Sequence, residues 1–88
     1  MNAEDIIRQI LKTLVQAEGH PLPEDVLRMH VDYGIRPRPL KAIVTECLRS
    51  MEERGLIMSQ ANELDMTGEN PLWQMDEKGQ AMATRLRL

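Results

Sequence analysis

Apolar residues recur at helical spacing three times in this chain, then switch to two short runs before a fourth helical stretch. Ile6, Ile7, Ile10, Leu11, Leu14 and Val15 form one stripe and predict a first helix ended by Gly19. Asn2 is placed to cap it, with Asp5 three residues on as a box-like partner. His20-Pro21-Leu22-Pro23 reads as extended, since each proline disfavours helix in the residue before it, and Leu22 is a candidate one- or two-residue strand. A second helix is predicted from Pro23 to Gly34. Glu24 and Asp25 lie in its first turn, where acids suit the helix dipole, and Val26, Leu27, Met29, His30 and Tyr33 form its inner side.

Arg36-Pro37-Arg38-Pro39 predicts a stiff extended turn, with Pro39 at the first position of a third helix running to Arg54. Leu40, Ile43, Val44, Cys47, Leu48 and Met51 make its inner stripe, and Gly55 stops it. Leu56-Ile57-Met58 and Leu72-Trp73-Gln74-Met75 predict the two strands of a hairpin. Its tip, Gln60 to Pro71, is rich in turn formers and long enough to be expected mobile. Asp76 is the cap expected for a last helix reaching Leu86. The pattern predicts a mainly α chain with a small β-hairpin, an α+β fold, in one domain spanning residues 1–88.

Two segments carry a resemblance. Leu48-Arg49-Ser50-Met51-Glu52-Glu53-Arg54-Gly55-Leu56-Ile57 looks like the exit from the recognition helix of winged helix-turn-helix proteins. Trp73-Gln74-Met75-Asp76-Glu77-Lys78-Gly79 is similar to the motif that closes their wing, with Met75 for the usual leucine and Asp76 for the usual threonine. The chain thus resembles the small bacterial and phage regulators of the MarR, PadR and ArsR kinds, over nearly its whole length by element order. One departure is the turn before the third helix. It holds Pro37 and Pro39 where those proteins more often carry a serine- or threonine-rich turn.

That resemblance implies double-stranded DNA binding by the third helix, transcription regulation and a homodimer, with outer residues of the first helix and Leu86 and Leu88 as dimer contacts. Lys41, Thr45 and Arg49, four apart, lie on one outer stripe of that helix, and Arg36 and Arg38 sit just ahead of it. These five are the candidate DNA-binding residues: Arg49 for a guanine edge, Lys41, Arg36 and Arg38 for phosphates. The bland alternative is a solvated helix face whose Glu46, Glu52 and Glu53 pair with Arg49 and its neighbours.

Charge sharpens the choice. The chain is net −3. Residues 36–54 carry five basic and three acidic side chains, whereas 61–70 carry Glu63, Asp65 and Glu69 and no base. An acidic tip repels phosphate, so a DNA complex would leave it clear. The same tip suits a protein partner, which makes a protein-interaction module without DNA binding the alternative function.

The remaining chemistry is sparse. Met, Leu, Ile and Val must fill the core, since there are 7 Met, one Trp, one Tyr and no Phe. Cys47, the single cysteine, falls on the inner stripe of the third helix and is expected buried. Trp73 is expected in the core. His20 and His30 have no ligand-spaced neighbours, so no metal is expected. There is no phosphate loop or nucleophile elbow, so no cofactor and no enzyme activity are expected. No apolar run approaches membrane-spanning length and no signal peptide is apparent, so the expected location is the cytoplasm.

Overall fold

A computed structural model describes residues 3–88. The order is α1 (Ala3–Gln16), β1 (Leu22–Pro23), α2 (Glu24–Gly34), α3 (Lys41–Glu53), β2 (Ile57–Gln60), β3 (Leu72–Met75) and α4 (Glu77–Leu86). The three strands form an antiparallel sheet in the order β1-β3-β2, with Leu22 opposite Trp73 and Ile57 opposite Met75. The fold is therefore α+β, with four helices around a small sheet. Among the described residues no helix is long and apolar enough to cross a membrane. The expected cap at Asn2 lies outside the described residues.

The core forms where the helical stripes meet the sheet. Ile6, Ile10, Leu11 and Leu14 of α1 face Leu27 and Val31 of α2, Val44, Leu48 and Met51 of α3, and Leu56, Ile57 and Trp73. Leu22 joins the sheet as expected, and Trp73 and Cys47 are buried. α1 ends at Gln16, three residues before Gly19. Gly19 instead sits in a following turn at φ +87, beside Glu18 at φ +52.

Two inner stripes differ from expectation. On α2, Leu27 and Val31 are buried, one turn apart, while Met29, His30 and Tyr33 face solvent. Met29 and Tyr33 lie roughly 200–240° around the helix from Leu27, so one helix cannot bury both sets. On α3, Leu40 and Ile43 are exposed, Leu40 at 70 %. The reason is where the helix starts. Leu40 is still extended (φ −65, ψ 144) and forms the cap, so Pro39 lies outside the helix, buried. Val44, Cys47, Leu48 and Met51 then define the inner stripe.

The ends of α3 and β3 lock together through α4. α3 closes with Leu56 N–H donating to the Met51 carbonyl (2.9 Å) and Gly55 N–H to the Glu52 carbonyl (3.0 Å), with Gly55 at φ +76. The Leu56 carbonyl accepts from Asp76 N–H (3.0 Å), and the Asp76 side chain accepts from Glu77 N–H (2.8 Å), capping α4.

Candidate functional site

Three of the five sequence-nominated residues come together. Lys41, Thr45 and Arg49 line one groove of about 480 Å³ between α3 and the β2–β3 loop. Lys41 and Arg49 are exposed and Thr45 half-buried, and none forms an ion pair among the described residues. The pairing of Arg49 with Glu46, Glu52 or Glu53 is not formed; Glu52 instead accepts a hydrogen bond from the Ser59 hydroxyl (2.7 Å).

The groove is not cationic, however. Glu24 from α2, Glu52 from α3 and Glu69 from the loop line it too, giving three carboxylates against two cations. Glu24 is held there by the Trp73 indole N–H (3.1 Å) and by Arg28 (3.7 Å). Arg36 does not join the groove: it lines a separate cavity with α1 and Arg87. Arg38 is exposed in the turn between α2 and α3.

The loop tip is built rather than slack. The Asn62 side chain accepts from Leu64 N–H (3.2 Å) and donates to the Asn70 carbonyl (3.0 Å). The Asp65 carboxylate accepts from Thr67 N–H (3.1 Å), the Thr67 hydroxyl (2.7 Å) and Asn70 N–H (2.6 Å), and the Thr67 hydroxyl accepts from Glu69 N–H (3.1 Å). The base of the loop is fastened to α2: Asn70 Oδ1 accepts from Asp25 N–H (3.0 Å), and the Pro71 carbonyl accepts from Glu24 N–H (2.9 Å). This frame holds Leu64 and Met66 out in solvent, 93 % and 96 % exposed.

The Thr67 hydroxyl, then the Asn70 and other loop amides, hold the Asp65 carboxyl below its ordinary value. A carboxylate with a depressed folded-state pKa stabilises its loop at every pH above the ordinary value, and that contribution is lost only as pH falls through the depressed one. Amide NMR shifts of Thr67 and Asn70 are therefore expected to hold steady from neutral pH down through the ordinary aspartate range and to move only below it. Asp65→Asn should remove that low-pH transition. Movement at an ordinary carboxylate pKa would show that the hydrogen bonds are not kept in solution. The Cys47 thiol moves the opposite way: burial, then the nearby Glu46 charge, raises its pKa. It stays a neutral core side chain.

No family model matches the chain, and no curated protein or solved structure matches it at a significant level. The surfaces must be read from their own chemistry.

Sequence reasoning missed two features. One is the exposed pair Leu64 and Met66, whose signal was apolar and acidic residues alternating in Glu63-Leu64-Asp65-Met66. The other is the cavity that holds Arg36. Arg8 and Lys12, four apart on α1, meet Arg36 and Arg87 around about 550 Å³, with Asp5 as the one acidic side chain in the lining. Spacing shows Arg8 and Lys12 on one helix face; nothing in the sequence brings Arg36 and Arg87 to them. Among the described residues, no three His, Cys, Asp or Glu side chains gather as a metal site.

Proposed function

We propose that this chain is a winged-helix domain acting as a protein-interaction module, with the β2–β3 loop, its wing, as the docking element. The element order and the three-stranded antiparallel sheet accord with that fold. The observation that carries the function is the pair Leu64 and Met66, nearly fully exposed on a hydrogen-bonded acidic loop. Large apolar side chains held in water have unfavourable contact with solvent that a partner removes, and a hydrogen-bonded loop lowers the ordering cost of docking. The flanking carboxylates select a basic partner surface. This reading assigns the domain no catalysis and no cofactor.

The direct test is a photo-crosslinking side chain in place of Met66, with the exposed Thr84 on α4 as the control position, irradiated in living cells. An adduct from position 66 that is absent from position 84, and absent when Leu64 is changed to Asp, is expected. No adduct from position 66 would sink the reading.

A second reading is double-stranded DNA binding by α3 as a homodimeric transcription regulator. What favours it is that Lys41, Thr45 and Arg49 share one groove without ion-pair partners. Against it stand the three carboxylates in that groove, which oppose phosphate at short range where salt screens little. Fluorescence anisotropy against a random duplex pool at low salt is expected to show no binding. Salt-sensitive binding abolished by Lys41→Ala with Arg49→Ala would establish the DNA reading instead.

A further inference from the structure

The acidic, apolar loop tip has a counterpart on the same molecule. The cavity rimmed by Arg8, Lys12, Arg36 and Arg87 gathers four cationic side chains from three segments around one acidic side chain, Asp5, with Leu88 also in its lining. Among the described residues none of the four cations forms an ion pair. This concentration of positive charge occurs in a chain of net charge −3. A second cavity of about 530 Å³ adjoins it, sharing Gln9, Lys12 and Gly34. Its lining includes Met29 and Tyr33, 53 % and 79 % exposed. Together they make a cationic bay beside an apolar shelf.

We infer that the loop tip of one copy docks in the cationic bay of another. This rests on the reading of the loop as a docking element and names its partner. Leu64 and Met66 match the shelf of Met29 and Tyr33, and Glu63 and Glu69 match the arginines. Asp65 keeps its negative charge, but its oxygens already accept from Thr67 and Asn70, so Glu63 and Glu69 are the carboxylates left to meet the bay directly.

The two surfaces lie apart within one molecule, and no loop residue lines the bay or the shelf. The loop is fastened to the first residues of α2, through Glu24 and Asp25, whereas the shelf lies on the second half of that helix, at Met29 to Gly34. An 11-residue helix is about 16 Å long. Tip and bay therefore lie toward opposite ends of α2, and a tip that fills a bay belongs to a neighbouring copy. Such a contact is head-to-tail: each copy uses one tip and one bay, and assembly continues into an open chain or closes as a ring. Because charge contributes, association weakens as salt rises.

Sedimentation velocity over a concentration series tests this with the full chain. The wild type is expected to sediment faster as concentration rises, with the effect reduced at high salt. A tip variant, Leu64→Asp with Met66→Asp, and a bay variant, Arg8→Glu with Arg36→Glu, are each expected to associate at least about tenfold more weakly, a loss of about 1.4 kcal/mol or more. Arg8, Arg36, Leu64 and Met66 are all exposed, so circular dichroism should show both variants folded.

The decisive arm is the equimolar mixture. One variant keeps a working bay and the other a working tip, so the mixture is expected to form a one-to-one dimer that grows no further. A monomeric wild type, self-association that survives in either variant, or a mixture that stays monomeric overturns the proposal. The crosslink from position 66 separates the two readings. An adduct with another protein from a monomeric chain rejects self-docking and leaves the loop as a docking element, whereas no adduct rejects both.

Discussion

Trp73→Ala is expected to cost about 3–5 kcal/mol of stability, the usual range for emptying a large aromatic from a core. Trp73 sits on the central strand, buried against the helices, opposite both Leu22 and Ser59. Its backbone position pairs with both outer strands. A domain of 88 residues has a total stability of roughly 4–13 kcal/mol, so this single change removes a large part of it. At about 4–8 °C per kcal/mol for a domain of this size, the midpoint of thermal unfolding should fall by tens of degrees. The melt has to be followed by circular dichroism, since Trp73 is the one tryptophan. Trp73→Phe separates the contributions. It keeps most of the apolar area and deletes the indole N–H bond to the Glu24 carboxylate, worth about 1.5–3 kcal/mol. A Trp73→Ala protein that melts within a few degrees of wild type would show that the residue is not in the core.

Gly79→Ala should also destabilise, against the rule for helices. In an ordinary helix interior this change stabilises by about 1 kcal/mol. Here Gly79 is buried under α3's exit, and an added methyl would overlap the Leu56 carbonyl oxygen and come within 2.8 Å of the Met75 sulfur. The obstacle is backbone, and that same carbonyl accepts the Asp76 N–H in front of α4. To make room, α4 must move away from the strand and strain the bond that sets its start. Overpacking of this kind costs about 1–3 kcal/mol. Urea denaturation is expected to show a lower midpoint with an unchanged slope, the mark of an altered stability rather than an altered denatured state. An increased midpoint would mean that α4 is not packed this closely in solution.

Much of the fold could be read in the chain because local patterns were unambiguous. The α1 stripe, the buried places of Cys47 and Trp73, the cap at Asp76 and the pairing of Leu22 all follow from spacing or turn chemistry. The side that α2 buries does not. Val31 and the pair Met29 and Tyr33 are all apolar enough for a core, and what decides is which side α1 covers. α3's start was misread because a proline at the first helical position and a proline two residues ahead of it look alike in sequence.

The candidate site divides along the same line. Lys41, Thr45 and Arg49 meet because four-residue spacing is enough to place them. The carboxylates beside them arrive from α2 and from the loop, and Arg36 turns toward α1 instead. Tertiary geometry determines both. The loop's internal hydrogen bonding was hidden for a related reason: Asn62, Asp65, Thr67 and Asn70 are turn formers, and composition alone does not say whether their side chains close bonds with one another.

The fastening of the β2–β3 loop to α2 makes two distant stretches of sequence one unit of exchange. Pro23 precedes α2 without a side-chain cap, and the first amides of a helix have no carbonyl of their own helix to bond. The Pro71 carbonyl and the Asn70 side chain fill that place for Glu24 and Asp25. In deuterated solvent those two amides therefore act as a clock for the loop, trading protons when residues some 45 positions downstream let go. Trimming the loop to a tight turn would leave the strands paired and unravel the beginning of a helix on the other side of the sequence.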